Sequence, residues 1–179
     1  MNAGRKTLYR LTMVLGFLSL LGNPALGQQA NTNKDLVNRF VKAVNQRTYD
    51  DFNAIVQPDF VRHCQATPDV EVTSLDDFVA FLRQDLETFP DGRVELTQVV
   101  AESDRVAYWG TYRGTQKGPM GPFAATGNQV ELDMAGVFRI QEGKIAELWI
   151  TWDNLTVFSQ LGINPLGAPE DEQSPVVKE

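Results

Sequence analysis

The sequence predicts an α+β fold in which helices pack on one face of an antiparallel sheet. Apolar residues recur at helical spacing as far as Phe89, and from Arg93 onward they alternate with a period of two. This change of period separates a helical first part from a second part made of long strands. A turn signal at Glu142-Gly143 joins the last two strands into a hairpin. The chain shows no internal repeat, so we expect one domain.

Three helices are predicted before the long strands. The first covers residues 33–46, and the second covers residues 49–56 and ends before Pro58. A short extended segment, residues 59–63, follows. The third helix begins after Ser74, whose hydroxyl can cap it, and it stops at the turn that follows Phe89.

The second part of the chain reads as a meander of four strands and a short terminal helix. A Gly/Pro-rich loop, residues 117–127, interrupts the meander, and Asp153 is placed to cap the terminal helix. The hairpin turn sets which residues lie opposite each other, so that Phe138 faces Leu148. The predicted strands cover residues 93–102, 105–116, 129–141 and 144–152.

The N-terminus has the features of a secretory signal peptide. Three basic residues among the first ten precede an apolar run over residues 11–21, and small residues lead to a cleavage site after Gly27. The run is short for a membrane span. We therefore expect residues 1–27 to be removed from an exported protein, periplasmic or secreted. Residues 28–163 then form the domain, and residues 164–179 a disordered tail.

The composition excludes several classes of partner. Cleavage after Gly27 removes three basic residues and no acid, which moves the formal net charge from −7 to −10. A chain this acidic is a poor partner for nucleic acid and, once the signal peptide is gone, for a membrane surface. His63 and Cys64 are the single histidine and the single cysteine, so no metal site and no cofactor is expected.

Several segments of the second part resemble the SnoaL-like polyketide cyclases and their "ester cyclase" relatives in the NTF2-like superfamily. They are FPDGRVEL, VAESDRVAYWGTYRGTQKGPMG, ATGNQVELDMAGVFRIQEGKIAELW and WDNLTVFSQLG, within a likeness that runs from about Lys34 to Ile163. The resemblance implies a cone, in which a curved antiparallel sheet wraps a long helix around an internal pocket. It also implies a polycyclic aromatic ester as ligand and a cofactor-independent aldol closure by an acid–base Asp assisted by a His.

The residues that would carry that chemistry are absent from the matching positions. Aligning through FRIQEGKI places the assisting His at Gly136 and the catalytic Asp at Ile150, and neither can transfer a proton. The strand period instead predicts a largely apolar pocket. Its expected lining is Tyr108, Tyr112, Gln116, Met134, Gly136, Phe138, Leu148, Ile150 and Trp152.

Two residues remain as catalytic candidates. His63 can serve as a general base if it faces the pocket, or it is a structural or surface histidine. Asp153 is either the cap of the terminal helix or an acid–base group. Cys64 should point away from His63, and Arg83 and Asp85 on the third helix are expected to face water because the apolar stripe excludes them.

Three hypotheses for function follow. The first is an exported domain that binds a small hydrophobic molecule, carbonyl-bearing or aromatic, in an apolar pocket. The second is a cofactor-independent cyclase, isomerase or hydrolase that uses His63 with a tyrosine or Gln116. The third is a structural or partner-binding module that forms a homodimer through the exposed face of its sheet, where Trp149 and Val137 lie.

Overall fold

Helices and one strand occupy the first half of the chain, and four long strands with a last helix occupy the second half. A computed structural model describes residues 24–164. The helices are α1 (Pro24–Gln46), α2 (Phe52–Ile55, preceded by a 3-10 turn at Tyr49–Asp51), α3 (Leu75–Thr88) and α4 (Asn154–Leu161). The strands are β1 (Val56–Cys64), β2 (Arg93–Glu102), β3 (Arg105–Thr115), β4 (Gln129–Gln141) and β5 (Lys144–Trp152).

The predicted α+β fold is confirmed, with a curved, unclosed sheet behind the helices. The strand order is β1-β5-β4-β3-β2. Strands β2 to β5 form the expected antiparallel meander. The first strand departs from the prediction, because β1 is longer than residues 59–63 and pairs with β5 in parallel. A parallel partner requires a long crossover connection, and here the rest of the sheet lies between the two strands in sequence.

The hairpin of β4 and β5 has the register that its turn predicts. Phe138 pairs with Leu148 and Gly136 pairs with Ile150. Glu142 and Gly143 both have positive φ angles, 52° and 75°, as a two-residue turn between right-twisted strands requires. The inner and outer faces of this hairpin are therefore those expected from the strand period.

Phenylalanine rings fill much of the space between the helices and the sheet. The Phe40 ring stacks on Phe52 at 5.2 Å and meets Phe138 of β4 edge-on at 5.2 Å. Phe78 of α3 joins them and also contacts Phe60 of β1, with ring centroids 5.0 Å apart. These contacts come from three helices and two strands, so the aromatic core holds the helical layer on the inner face of the sheet.

Helix α1 begins nine residues before the predicted start of the first helix. It includes Gly27, after which cleavage is expected, while residues 1–23 of the predicted signal peptide lie outside the described residues. Asn33 is buried and donates a hydrogen bond to the Ser103 carbonyl at 3.0 Å, which ties this helix to the turn between β2 and β3. Of the predicted tail, all but Asn164 likewise lies outside the described residues.

Candidate functional site

The inner face of the sheet carries eight of the nine residues predicted to line a pocket. Tyr108, Met134, Phe138 and Leu148 are buried there. Other residues on the inner face of the sheet and on α3 are only partly buried. These partly exposed residues are Tyr112, Ile150 and Trp152 on the sheet and Phe81 and Asp85 on α3.

The absence of a side chain at Gly136 leaves room for a tyrosine ring. A Cβ atom at Gly136 would lie 2.6 Å from Tyr108 Cε1 and 2.6 Å from the Trp149 carbonyl oxygen. The Tyr108 ring in turn packs on Phe138 with centroids 5.4 Å apart. The position that matches the assisting histidine of the cyclases is therefore covered by the Tyr108 side chain.

Arg62 is a buried cation on the inner face, and the sequence analysis did not identify it. It pairs in parallel with Leu148 of β5, which faces the core, so its side chain points inward. Its guanidinium carbon lies 4.4 Å from the Phe81 ring centroid and 5.8 Å from that of Trp152. The group also donates a hydrogen bond to Thr67 Oγ1 at 3.2 Å. The guanidinium is therefore a buried charge surrounded by aromatic rings and one hydroxyl, and no buried side-chain nitrogen or oxygen of the described residues lacks a hydrogen-bond partner.

Asp85 of α3 faces the inner side of the sheet, which corrects the expectation that it is a solvated residue. The Tyr112 hydroxyl donates to Asp85 Oδ2 at 3.2 Å. Among the described residues, no nitrogen of Arg62 lies within the 4.0 Å of a carboxylate oxygen that defines an ion pair. Asp85 and Arg62 nevertheless act on each other electrostatically. We call Arg62, Asp85, Tyr108 and Tyr112 the inner polar cluster.

Burial dominates the electrostatics of this cluster. It raises the pKa of Asp85 to about 6, while the Tyr112 hydrogen bond and the Arg62 charge act in the opposite direction. Burial also raises the pKa of the Tyr108 and Tyr112 hydroxyls well above their ordinary range. Both tyrosines therefore stay protonated and can donate, and Asp85 can exchange a proton near neutral pH.

Both missed residues left a signal in the sequence. Arg62 shares strand parity with Phe60, a large apolar residue whose inward direction was the better guide to this strand. Asp85 lies three residues after Leu82 and seven after Phe78, so the helical period places it on the apolar face.

His63 lies on the outer face of the sheet, away from the inner polar cluster. It pairs with Trp149 and stacks on its ring with centroids 4.8 Å apart. Its Nε2 atom is 3.2 Å from Glu147 Oε2, and Arg139 binds the same carboxylate. From this position the imidazole cannot reach a molecule bound between helices and sheet. Cys64 alternates with His63 as expected, but it is the cysteine that shares the inner face with Arg62.

The two other polar candidates have structural partners. Asp153 caps α4, since its carboxylate accepts hydrogen bonds from the Leu155 amide at 2.9 Å and the Thr156 hydroxyl at 2.7 Å. Gln116 is fully buried at the end of β3, where its amide nitrogen donates to the Gly118 carbonyl and its oxygen accepts from Thr126. These bonds hold the loop after β3 in place and use the polar atoms of Gln116.

Two clefts are found elsewhere on the molecule. One of about 370 Å³ lies beside β1 and β5 and includes Asp59 and Glu147. The other, of about 510 Å³, lies across β2 to β4 and includes Arg93 and Arg113. None of the nine predicted pocket residues lines either cleft.

The part of the chain that the structure describes has neither a cluster of potential metal ligands nor a helix that could span a membrane. Within residues 24–164, no group of three or more His, Cys, Asp or Glu side chains could hold a metal ion. Over the same residues, every helix is too short or too polar to span a bilayer.

Solved structures of the same fold come from several bacteria. TsrD from Streptomyces laurentii is 25% identical, with a TM-score of 0.66 over 75% of this chain and 97% of that one. AclR from Streptomyces galilaeus is 28% identical, with a TM-score of 0.64 over 74% of this chain and 97% of that one. A SnoaL-like polyketide cyclase from Agrobacterium tumefaciens is 19% identical, with a TM-score of 0.62 over 73% and 98%. This last likeness shows the fold alone.

A match to a protein-family model supports the family resemblance seen in the sequence segments after Phe89. No curated protein matched the chain. The model described as SnoaL-like polyketide cyclase matches residues 34–161, which is most of the chain and includes the whole sheet and all of α3. With helices, strand order and matched range in agreement, the chain belongs to the SnoaL-like polyketide cyclase family.

Proposed function

We propose that this protein is an exported domain that binds a small hydrophobic carbonyl compound, aromatic or polycyclic, at the inner polar cluster. The fold supports a small-molecule site between helices and sheet. The observation that carries the proposal is Arg62, a buried guanidinium set between aromatic rings and lacking an ion-pair partner among the described residues. A ligand carbonyl would accept its hydrogen bonds while the ligand's rings pack on Phe81 and Trp152.

The chemistry of the cluster favours a carbonyl oxygen over a cationic or strongly hydrated group. Arg62 offers several donors, and the raised pKa of Tyr108 keeps its hydroxyl protonated, whereas the Tyr112 hydroxyl already donates to Asp85. The remaining surroundings are apolar, with Met134 and Ile150 on the sheet. Such a site orients a ligand through a few polar atoms and gains affinity by removing apolar area from water.

Binding can be tested with 2-tetralone, a bicyclic ketone, by isothermal titration calorimetry on the chain without residues 1–27. Replacing Arg62 with Met keeps most of the side-chain volume and removes the charge. Loss of a charge-assisted hydrogen bond of about 1.5–3 kcal/mol predicts binding about 10- to 100-fold weaker. Arg113→Met is the matched control, because Arg113 is exposed on the outer face and should leave the affinity unchanged. Equal affinity in wild type and Arg62→Met contradicts the proposal.

Export is tested separately. Expression of the full chain in a Gram-negative host should deliver it to the periplasm with an N-terminus at Gln28, as read by mass spectrometry of the intact protein. Recovery from the cytoplasm with residues 1–27 still attached would count against it.

A homodimer through the outer face of the sheet is the second candidate, and Trp109 favours it. This side chain lies on β3 and is 48% exposed, so a large apolar ring faces water on the outer side of the sheet. Light scattering coupled to size-exclusion chromatography should give twice the monomer mass for wild type and the monomer mass for Trp109→Glu. A wild-type monomer at micromolar concentration would rule the dimer out.

A further inference from the structure

We propose that the outer face of the sheet carries a second binding site, which takes a neutral saccharide on the Trp109 ring and in the polar cleft beside it. This site is separate from the inner polar cluster. It consists of the exposed indole of β3 and the cleft of about 510 Å³ that lies across β2 to β4. The two features adjoin, because Thr111 lines the cleft and lies two residues from Trp109 on the same face of β3.

The Trp109 ring is open to a ligand, in contrast to the other tryptophan of the outer face. Trp149 stacks on His63 at 4.8 Å and has the Arg105 guanidinium 5.0 Å from its ring centroid. Among the described residues, Trp109 has neither a stacked ring nor a cation on its face, and its neighbour on β4 is the small Ala135. An open indole offers an apolar surface for the C–H face of a sugar ring and an N–H donor at its edge.

The charges of the cleft favour a neutral ligand. Two arginines and three carboxylates line it, so neither an anion nor a cation gains a clear electrostatic advantage. Arg113 donates hydrogen bonds to Glu95 at 3.2 Å and to Glu131 at 2.9 Å. The second of these bonds raises the pKa of Arg113 and lowers that of Glu131, so both groups stay charged at neutral pH. A sugar hydroxyl suits such groups, since it donates to a carboxylate and accepts from a guanidinium.

The site is long enough for more than one sugar ring, and its polar groups are held in place. Arg113 lies four residues beyond Trp109, which is about 13 Å along β3. Strand β3 pairs with β2 and β4 on its two sides. Gln160 of α4 closes one side of the cleft, where its amide bonds the main chain of Glu131 at 2.7 and 2.8 Å. A saccharide would therefore meet a preformed surface, which lowers the entropic cost of binding.

Isothermal titration calorimetry with cellotriose, a β-1,4-linked glucose trisaccharide, tests the site on the chain without residues 1–27. Wild type should bind cellotriose saturably. Trp109→Ala should bind about 10- to 100-fold more weakly, because the ring no longer covers the sugar face. Glu95→Met should bind about 10-fold more weakly through loss of a charged acceptor. Glu102→Met changes an exposed glutamate at the other end of β2, outside the cleft, and as the matched control it should leave the affinity unchanged.

The homodimer considered above would cover the same ring, so a saccharide and a second copy compete for Trp109. Cellotriose should therefore shift any dimer toward the monomer mass in light scattering. A dimer that cellotriose does not dissociate overturns the saccharide site. Absence of saturable binding to wild type at millimolar cellotriose also overturns it, as does wild-type affinity in a Trp109→Ala variant that is folded by circular dichroism.

Discussion

Replacing Asp85 with Asn should stabilise the protein at neutral pH. The native state raises the pKa of this carboxyl from 3.8 to about 6, so the folded protein holds the proton more tightly than the unfolded chain does. Above pH 6 both states are ionised, and the folded state carries the full cost of a buried charge. As pH falls from about 6 toward 4 the carboxyl becomes protonated in the folded state, and stability from this group increases.

The magnitude follows from the two pKa values. Their separation corresponds to about 3 kcal/mol if the full effect is expressed. Water reaches part of the carboxylate, so we expect about 1–2 kcal/mol. For a domain of this size that raises the melting temperature of Asp85→Asn by about 2–8 °C at pH 7.5. Asparagine keeps an oxygen that accepts the Tyr112 hydrogen bond, so the substitution changes charge more than contacts.

Thermal unfolding followed by circular dichroism at pH 7.5 and pH 4 checks the prediction. The advantage of Asp85→Asn should be present at pH 7.5 and close to zero at pH 4. Glu87→Gln changes charge by the same amount on an exposed part of α3, and it serves as the control. A variant that melts below wild type at pH 7.5, or an advantage that persists at pH 4, refutes the reasoning.

Three further substitutions test other parts of the structure. Gly136→Ala should cost about 1–3 kcal/mol in urea unfolding, because its Cβ meets Tyr108 and a backbone oxygen at 2.6 Å, and a change below 0.5 kcal/mol contradicts this. Asp153→Ala should lose about 1 kcal/mol of stability through its cap and leave 2-tetralone binding unchanged, whereas weaker binding would place Asp153 in the site. Gln116→Met should cost about 1–3 kcal/mol and speed amide hydrogen exchange in residues 117–127, and unchanged exchange there would show that its hydrogen bonds do not hold the loop.

Local patterns in the sequence are sufficient for most of the sheet. The bounds of β4 and β5 and their register follow from one turn, since Glu142-Gly143 leaves a single pairing that buries Phe138 and Leu148 together. The meander strands pair with their neighbours in sequence, so the alternation within each strand determines its faces.

The pairing of strand β1 could not be predicted from local patterns because its partner is distant in sequence. Nothing near residues 56–64 reveals that β5 will lie beside them in parallel. The sequence left His63 with two alternatives, a base in the pocket or a structural or surface histidine, and the parallel pairing of Arg62 with Leu148 places the arginine on the inner face instead.

The site was harder to predict than the fold for a physical reason. A charged side chain on an apolar helix face can either reach water or be buried against polar partners. Asp85 takes the second, and its partners Tyr112 and Arg62 come from strands that the helix sequence cannot indicate. The sequence of α3 therefore indicates which way Asp85 points, but it does not indicate which residues it contacts.

The parallel pairing of β1 with β5 has a consequence for how the chain folds. β1 is an edge strand whose sheet partner is β5, which lies about 80–90 residues later in the sequence. The β2–β5 meander can form through local hairpins. The pairing of β1 with β5 must close a long loop, so we expect it to occur late in folding. A nascent chain that lacks residues 144–152 thus leaves Arg62 without its place in the sheet, and we expect the inner polar cluster to form only when β5 is complete.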